Sequence, residues 1–452
     1  RKNRQKTNTY ITAPHLKARG MPETLQLRKI RLRNWKSFKD CTIELNEGLN
    51  VLVGPNASGK TNLLEAFKFL KKALGGFEAP YVPHLEWWTY RNIVFGNDET
   101  KPITFELEFE CPNGHTAVYE VVFTYVGGLV KPVKESILLP GILSFTREGS
   151  DIKVEHDRDL INQHVTEFSS PLLEKIQKTQ TISLRSDIIT ILKSESSLVK
   201  GPIVKEHAVD GLLSIKEKDM VTLLVDALIL FSPVVESTSL FRYVLRGISN
   251  FFNQILFIRH LDTGLIRQPA IFTPDTVVSE RGENLTSVLT NWMFQGGGRL
   301  PERIDFALKN LFPHLLLNIS TTKDGRVYLS VKDNLYNADI NPPSLPDGFY
   351  KMLHIMSAIE SKPSILLVDE LENSLHAEII EYIVEELKDS NVLSIVATHS
   401  PVVVDVAGLE HLLLVERTAE GGEVKRVENL EDMKKWMREK GLTPSEMWLY
   451  GT

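Results

Sequence analysis

The stretch GPNASGKT, residues 54–61, decides how this chain folds. It fits the pattern G-x-x-x-x-G-K-[ST], with Gly54, Gly59, Lys60 and Thr61 at the fixed places. Such a loop holds phosphate only when it leaves a strand and opens a helix, because the first helical amides must point at the phosphate oxygens. Both flanks meet that condition. Leu49, Val51, Leu52 and Val53 read as a short buried strand, and from Asn62 to Leu74 the residues Leu63, Leu64, Ala66, Phe67 and Leu70 recur at helical spacing. Gly54 and Gly59 let the backbone bend and come close to a ligand with no Cβ in the way. The cradle expected for a nucleotide is therefore Gly54, Pro55, Asn56, Ala57, Ser58, Gly59, Lys60, Thr61 and Asn62. Lys60 would reach the β and γ phosphates, and the Thr61 hydroxyl would hold Mg2+.

A phosphate loop needs a second strand that supplies a metal-binding carboxylate and a water-orienting one. SILLVDELENSLH, residues 364–376, has that form. Ile365 to Val368 are four apolar residues, as in a strand buried on both faces, and they end in Asp369 and Glu370. Adjacent residues at a strand end point in different directions. Asp369 is thus expected to face Mg2+ and Glu370 an attacking water. A further strand, VLSIVATHS at 392–400, follows a helix from Ala377 to Leu387 and ends at Thr398, His399 and Ser400. Strand, helix, strand implies a parallel pair, whose carboxyl ends gather ligands, so His399 is expected beside Asp369 as a reader of the γ-phosphate.

The rest of the chain sets the class. Its 452 residues, 42% hydrophobic and 24% charged, are those of a soluble globular protein of two or three domains. The longest apolar stretch, Met220 to Val235, is broken by Asp226 and Pro233 and falls short of the ~20 residues of a spanning helix, so no membrane contact is expected. Cys41 and Cys111 are too few for a disulfide framework or a zinc site, and no apolar leader core opens the chain. A cytoplasmic location is expected. Residues 1–39 carry a balance of +11, which leaves −17 on the remainder. A basic arm on an acidic body points to nucleic acid phosphates as a partner, with a solvated leader as the plain alternative.

These pieces, in this order, resemble the ABC-type ATPase head of the RecF, SMC and OLD-like families of AAA ATPases. The resemblance is carried by LQLRKIRLRNWKSFKDCTIELNEGLNVLVGPNASGKTNLLEA at 25–66, which contains the Walker A loop, by RGENLTSVL at 281–289 and by NPPSLPDGFYKMLHIMSAI at 341–359. The Walker B stretch with its ENSLH continuation and ATHSP at 397–401 complete it. It covers about 25–130 and 255–452. The resemblance implies an α/β fold, a head with a mixed or parallel sheet, that forms a head-to-tail homodimer or higher homo-oligomer. Each ATP then lies between the Walker loop of one copy and a signature segment of the other. That segment is Ser344 to Gly348, with Ser344, Asp347 and Gly348 as implied ligands. Where relatives commonly read S-D-G, this chain reads Pro346-Asp347-Gly348, which removes a hydroxyl and an amide. Ser374, Leu375 and His376 fall where the family places its subunit-crossing loop.

The expected organisation is a basic extension at 1–20, a first half of the head at 21–154, a helical insertion at 155–255 and a second half at 256–452. The insertion has only short amphipathic pieces, such as Leu172 to Ile182 and Thr222 to Leu230, broken by Pro171, Gly201, Pro202, Gly211 and Pro233, so the long coiled coil of SMC proteins does not fit. No acidic Toprim cluster is expected after ATHSP. The tail reads as a strand pair around Gly421 and Gly422, a helix from Leu430 to Lys440 and SEMWLYG, similar to stand-alone ATPases of defence loci, which implies a separately encoded effector nuclease. The reading is a Mg2+-dependent ATPase that dimerises around ATP and regulates DNA or an effector, with a non-hydrolysing ATP-dependent scaffold as the rival. A P-loop kinase would give the ATHSP and ENSLH segments no role.

Overall fold

The computed structural model describes residues 25–74, 83–111, 114–141, 143–148, 151–156, 181–183 and 236–450. Strands β1 (Gln26–Trp35) and β2 (Phe38–Glu44) form an antiparallel hairpin, and β3 (Leu49–Val53) then runs into the phosphate loop and helix α1 (Lys60–Leu74). An antiparallel sheet follows, built from β4 (Ile103–Glu110), β5 (Thr116–Val126), β6 (Leu129–Leu139), β7 (Leu143–Glu148), β8 (Asp151–His156) and β9 (Thr181–Ser183). With the hairpin it makes eight strands in the order β2-β1-β4-β5-β6-β7-β8-β9. The alternation is regular: Phe105, Leu107 and Phe109 point into the core, and Glu106, Glu108 and Glu110 point out.

Those outward glutamates change the meaning of the basic stretch. Arg28 pairs with Glu110, Lys29 with Glu108, Arg31 with Asp40, Arg33 with Glu106, Lys36 with Glu65 and Lys39 with Glu420. The positive charges between residues 28 and 39 are thus neutralised by neighbouring strands and by α1. The extension at 1–20 lies outside the described residues, as do most of the insertion's expected helices. The boundary expected at 154 falls inside β8, and Thr181–Ser183, expected to end an amphipathic helix, is a strand paired with it.

The chain returns through α2 (Glu236–Asn253) into β10 (Ile255–Ile258), then α3 (Thr263–Ile266), α4 (Leu285–Gln295) and α5 (Glu302–Leu311). A three-stranded sheet of β11 (Leu315–Thr321), β12 (Val327–Asp333) and β13 (Ala338–Ile340) leads to α6 (Asp347–Glu360). Then come β14 (Ile365–Asp369), α7 (Ala377–Asp389), β15 (Ser394–Ala397), α8 (Pro401–Ala407), β16 (Leu412–Thr418), β17 (Gly421–Arg426) and α9 (Leu430–Lys440). The second large sheet runs β10-β14-β15-β3-β16-β17, parallel as far as β16, with β17 turned back against it.

Burial on both faces explains the unbroken apolar runs of this sheet. Ile365 and Leu367 join the core shared with α1 and the antiparallel sheet, while Leu366 and Val368 join the core under α6, α7 and α8. Successive strand residues point to opposite faces, so a parallel strand between two layers has no polar side to show. The carboxyl ends of β3, β14 and β15 therefore emerge at one edge, where the chain turns polar.

Candidate nucleotide-binding site

β3 delivers the loop with all five of its residues buried. At Gly54 a Cβ would lie 2.2 Å from the Val415 carbonyl oxygen, so no other residue fits against β16 there. Gly59 takes φ 117, in the left-handed region that glycine tolerates. The loop folds over its own lysine: Lys60 Nζ donates to the carbonyls of Gly54 at 2.8 Å and Pro55 at 3.1 Å. Burial pushes this ammonium down, and Asp369, Glu372 and Glu370 pull it back up. Ser58 Oγ is buried with no hydrogen-bond partner, while Pro55, Asn56 and Ala57 are exposed at the rim. Asn62 lines the same cleft and donates from Nδ2 to Ser37 Oγ at 2.9 Å.

The two expected metal-side residues meet although 308 positions separate them. Thr61 Oγ1 donates to Asp369 Oδ2 at 3.2 Å. Asp369 is 3% exposed, and burial raises its carboxyl while Arg259 and Thr61 pull it down. Glu370, the next residue, is half-buried with φ 52, which turns its side chain off the strand direction. Its carboxylate accepts from Asn373 Nδ2 at 2.6 Å. The parallel register Asp369↔Ala397 carries β15 alongside, and His399 emerges exposed just beyond it. Lys60, Thr61, Asp369, Glu370 and His399 all line one cleft of about 720 Å³, a size ordinary for a ligand site.

Three contributors escaped the sequence reading. Glu372 accepts from Thr398 Oγ1 and from the His399 amide, both at 2.8 Å, and so ties the end of β15 to the turn after β14. Its signal was the third acid of the DELE run. Arg259 follows β10 and lies 3.3 Å from Asp369 Oδ2 through Nε, in ion-pair range but angled so that this nitrogen makes no hydrogen bond. Its signal was the polar residue after the apolar run Ile255 to Ile258. The segment Asn92 to Asn97 also lines the cleft, held to the β1 hairpin by an isolated bridge between Trp35 and Val94.

The signature residues stand apart. Ser344, Asp347 and Gly348 are not in the wall of this cleft. Pro346 caps α6 with φ −69 and ψ 149 and makes no side-chain hydrogen bond, as its chemistry requires. Arg267 Nη2 donates to the Leu345 carbonyl at 2.8 Å and to Asp347 Oδ1 at 2.6 Å, so the first turn of α6 already holds an ion pair.

The donor set fits Mg2+ and a polyphosphate. Amides opening a fifteen-residue helix, an ammonium inside the loop and an orphaned buried hydroxyl at Ser58 suit phosphate oxygens. Thr61 and Asp369 could hold the metal. Among the described residues no cluster of three His, Cys, Asp or Glu side chains could hold a metal alone.

This geometry defines a P-loop site with adjoining Walker A and Walker B ends, and the chain resembles the ABC-type ATPase heads of the RecF/SMC-like class. Two family profiles divide it: one described as "AAA domain" matches residues 29–217, and one described as "AAA domain, putative AbiEii toxin, Type IV TA system" matches residues 298–405. The first contains the Walker A loop and the second contains Asp369, Glu370 and His399. The chain is similar to the DNA replication and repair protein RecF of Moorella thermoacetica, 49% identical over 49 residues, or 11% of this chain and 13% of the relative. RecF of Limosilactobacillus reuteri is 23% identical over 158 residues, 34% of this chain and 41% of the relative, so the RecF matches span less than half of those proteins. An ATP/GTP phosphatase of Helicobacter pylori is 23% identical over 388 residues, 84% of this chain and 87% of that protein. Among solved structures, the SMC head domain from Thermotoga maritima covers 89% of this chain and 99% of its own at 14% identity, with a TM-score of 0.40. Among the described residues no helix is long and apolar enough to cross a membrane.

Proposed function

We propose that the protein is a Mg2+-dependent ATP hydrolase that closes as a homodimer around ATP and uses the cycle to control DNA or a separate effector. The observation that carries the reading is the 3.2 Å contact of the Thr61 hydroxyl with Asp369, one residue before Glu370. It brings the Walker A and Walker B ends together on adjacent sides of one cleft. Thr61 and Asp369 would hold Mg2+, whose charge would offset the negative charge that develops on the phosphate. Lys60 releases its loop carbonyls to bind the β and γ phosphates. Glu370 orients the attacking water and accepts its proton, with Asn373 fixing the carboxylate. His399 reads the γ-phosphate, its backbone held by Glu372.

The homodimer is supported by what the cleft lacks. The signature end of α6 is outside it, and a second copy placed head to tail would supply that end to the nucleotide. Regulation of DNA accords with the RecF similarity, and an effector, in defence or DNA maintenance, with the toxin-system profile over 298–405. The scaffold reading is favoured by one observation, the donor-free Pro346 cap. Phosphate release from ATP, measured with and without DNA for wild type and Glu370→Gln, tests the proposal. Turnover that stops in the variant is expected, and equal release from both proteins removes Glu370 from the chemistry.

A further inference from the structure

We propose that Lys351 is a positioning residue whose ammonium clamps the turn that presents Glu370 and binds that turn to the first turns of α6. The inference rests on the reading of Glu370 as the water-orienting carboxylate. Lys351 is 6% exposed, and Nζ donates to the carbonyl oxygens of Glu370 at 3.0 Å and Asn373 at 2.8 Å. These are the two ends of one turn, closed by the Asn373 amide on the Glu370 carbonyl at 3.1 Å. The same Asn373 holds the Glu370 carboxylate through its side chain. One ammonium therefore fixes both the residue that carries the carboxylate and the residue that aims it.

The turn needs such a clamp. Glu370 and Ser374 take φ 52 and φ 63, conformations that side chains adopt only when their surroundings impose them. The lysine itself is held at a cost: burial pushes it down to about 8, against the pull of Glu372 and Glu370. Its neighbours Met352 and Leu353 are fully buried, and an apolar side chain at 351 would avoid that desolvation. A second contact lies one turn earlier on the same helix. A Cβ on Gly348 would sit 2.6 Å from the Ser374 carbonyl oxygen, so α6 rests directly on the far end of the turn. Gly348 and Lys351 grip the turn at two points, and Glu370 must follow any shift of α6. A phosphate engaged by the signature end from a second copy would thus set the position of Glu370 in the copy that reaches across, so that closure and water activation occur together.

The test uses the full chain as wild type, Lys351→Met, Lys351→Arg and Glu370→Gln. In nucleotide-free protein the amides of Glu370, Asn373 and Leu375 are hydrogen-bonded, so amide exchange over 370–375 reads the clamp directly. Lys351→Met should speed exchange there by about tenfold or more and leave β3 and α1 unchanged, with Lys351→Arg within about threefold of wild type. Unchanged exchange in the methionine variant, or an equal loss in the arginine one, overturns the proposal whether or not ATP is hydrolysed. In turnover, Lys351→Met should lower kcat about thirtyfold with KM within about twofold. A kcat equal to wild type, or a loss matched by lost nucleotide binding, also overturns it. Wild type that releases no more phosphate than Glu370→Gln sinks the hydrolytic reading alone, and the exchange measurement still decides on Lys351.

Discussion

The loop after β3 and the first turn of α6 are both N-termini of long helices, but they are equipped in opposite ways. At α1 the helix start is joined to a glycine turn, a buried lysine and an unpartnered serine hydroxyl, with no acidic residue in the first turn. At α6 the cap is a proline, the first residue is Asp347, and Arg267 is already paired with it. Positive partial charge at a helix start draws anions only as far as side chains leave it uncompensated. The first start has the groups that suit phosphate, and the second has its charge already compensated; this is the asymmetry the proposed head-to-tail dimer requires.

Removal of the charge from the stronger half should have the largest effect. Lys60→Ala is expected to lower nucleotide binding or turnover by at least about a thousandfold, because the loop amides cannot replace a point charge on the phosphates. Isothermal titration with ATP and a phosphate-release assay check this, and wild-type values in either would undo the assignment of the loop. Glu370→Gln should keep ATP affinity and lower turnover about a hundredfold or more, since the amide preserves shape and loses the base. Light scattering at saturating ATP should then show a trapped dimer, and a monomer would separate Glu370 from closure.

Much of the stronger half was legible because local rules fix it. A glycine pattern, an apolar strand and a helical period placed β3 and α1, and four apolar residues before Asp369 placed β14. Arg259 was not legible, because β10 is a four-residue strand and only its register, Ile258 beside Val368, carries the arginine to Asp369. The partners of the basic residues at 28–39 were not legible for the same reason: Arg31 pairs within its hairpin, but Arg28 and Arg33 find their partners, Glu110 and Glu106, on a strand more than seventy residues away. Asn92 to Asn97 have no period at all and reach the cleft through short 3-10 turns.

The weaker half is open to improvement. Pro346→Ser adds a hydroxyl donor at the cap of α6, and turnover should rise about tenfold, the equivalent of ~1.4 kcal/mol. Steady-state rates and ATP-dependent dimerisation should increase together, and a rate unchanged in both would mean that this end never meets a nucleotide. The smallest effect concerns the body of the same helix. His354 is fully buried, its Nε2 is 2.8 Å from the Ser279 carbonyl, and burial pushes it down to about 4. The unfolded chain then binds a proton that the folded one refuses as pH falls from about 6.5 to 4, so stability declines across that window. Urea unfolding should show about 2 kcal/mol less stability at pH 5 than at pH 7, and His354→Gln should flatten that part of the slope.

The division of one site between two copies is tested most directly by complementation. Lys60→Ala disables the phosphate loop, and Pro346→Trp, at an exposed cap, blocks the approach of the signature end. In a mixed dimer the disabled loop faces the blocked end, and the intact loop faces the intact end. Each variant alone should release phosphate at background rate, and an equal mixture should recover about a quarter of wild-type turnover, since half of the dimers carry one good site of two. A mixture no more active than its separate components would contradict a shared site.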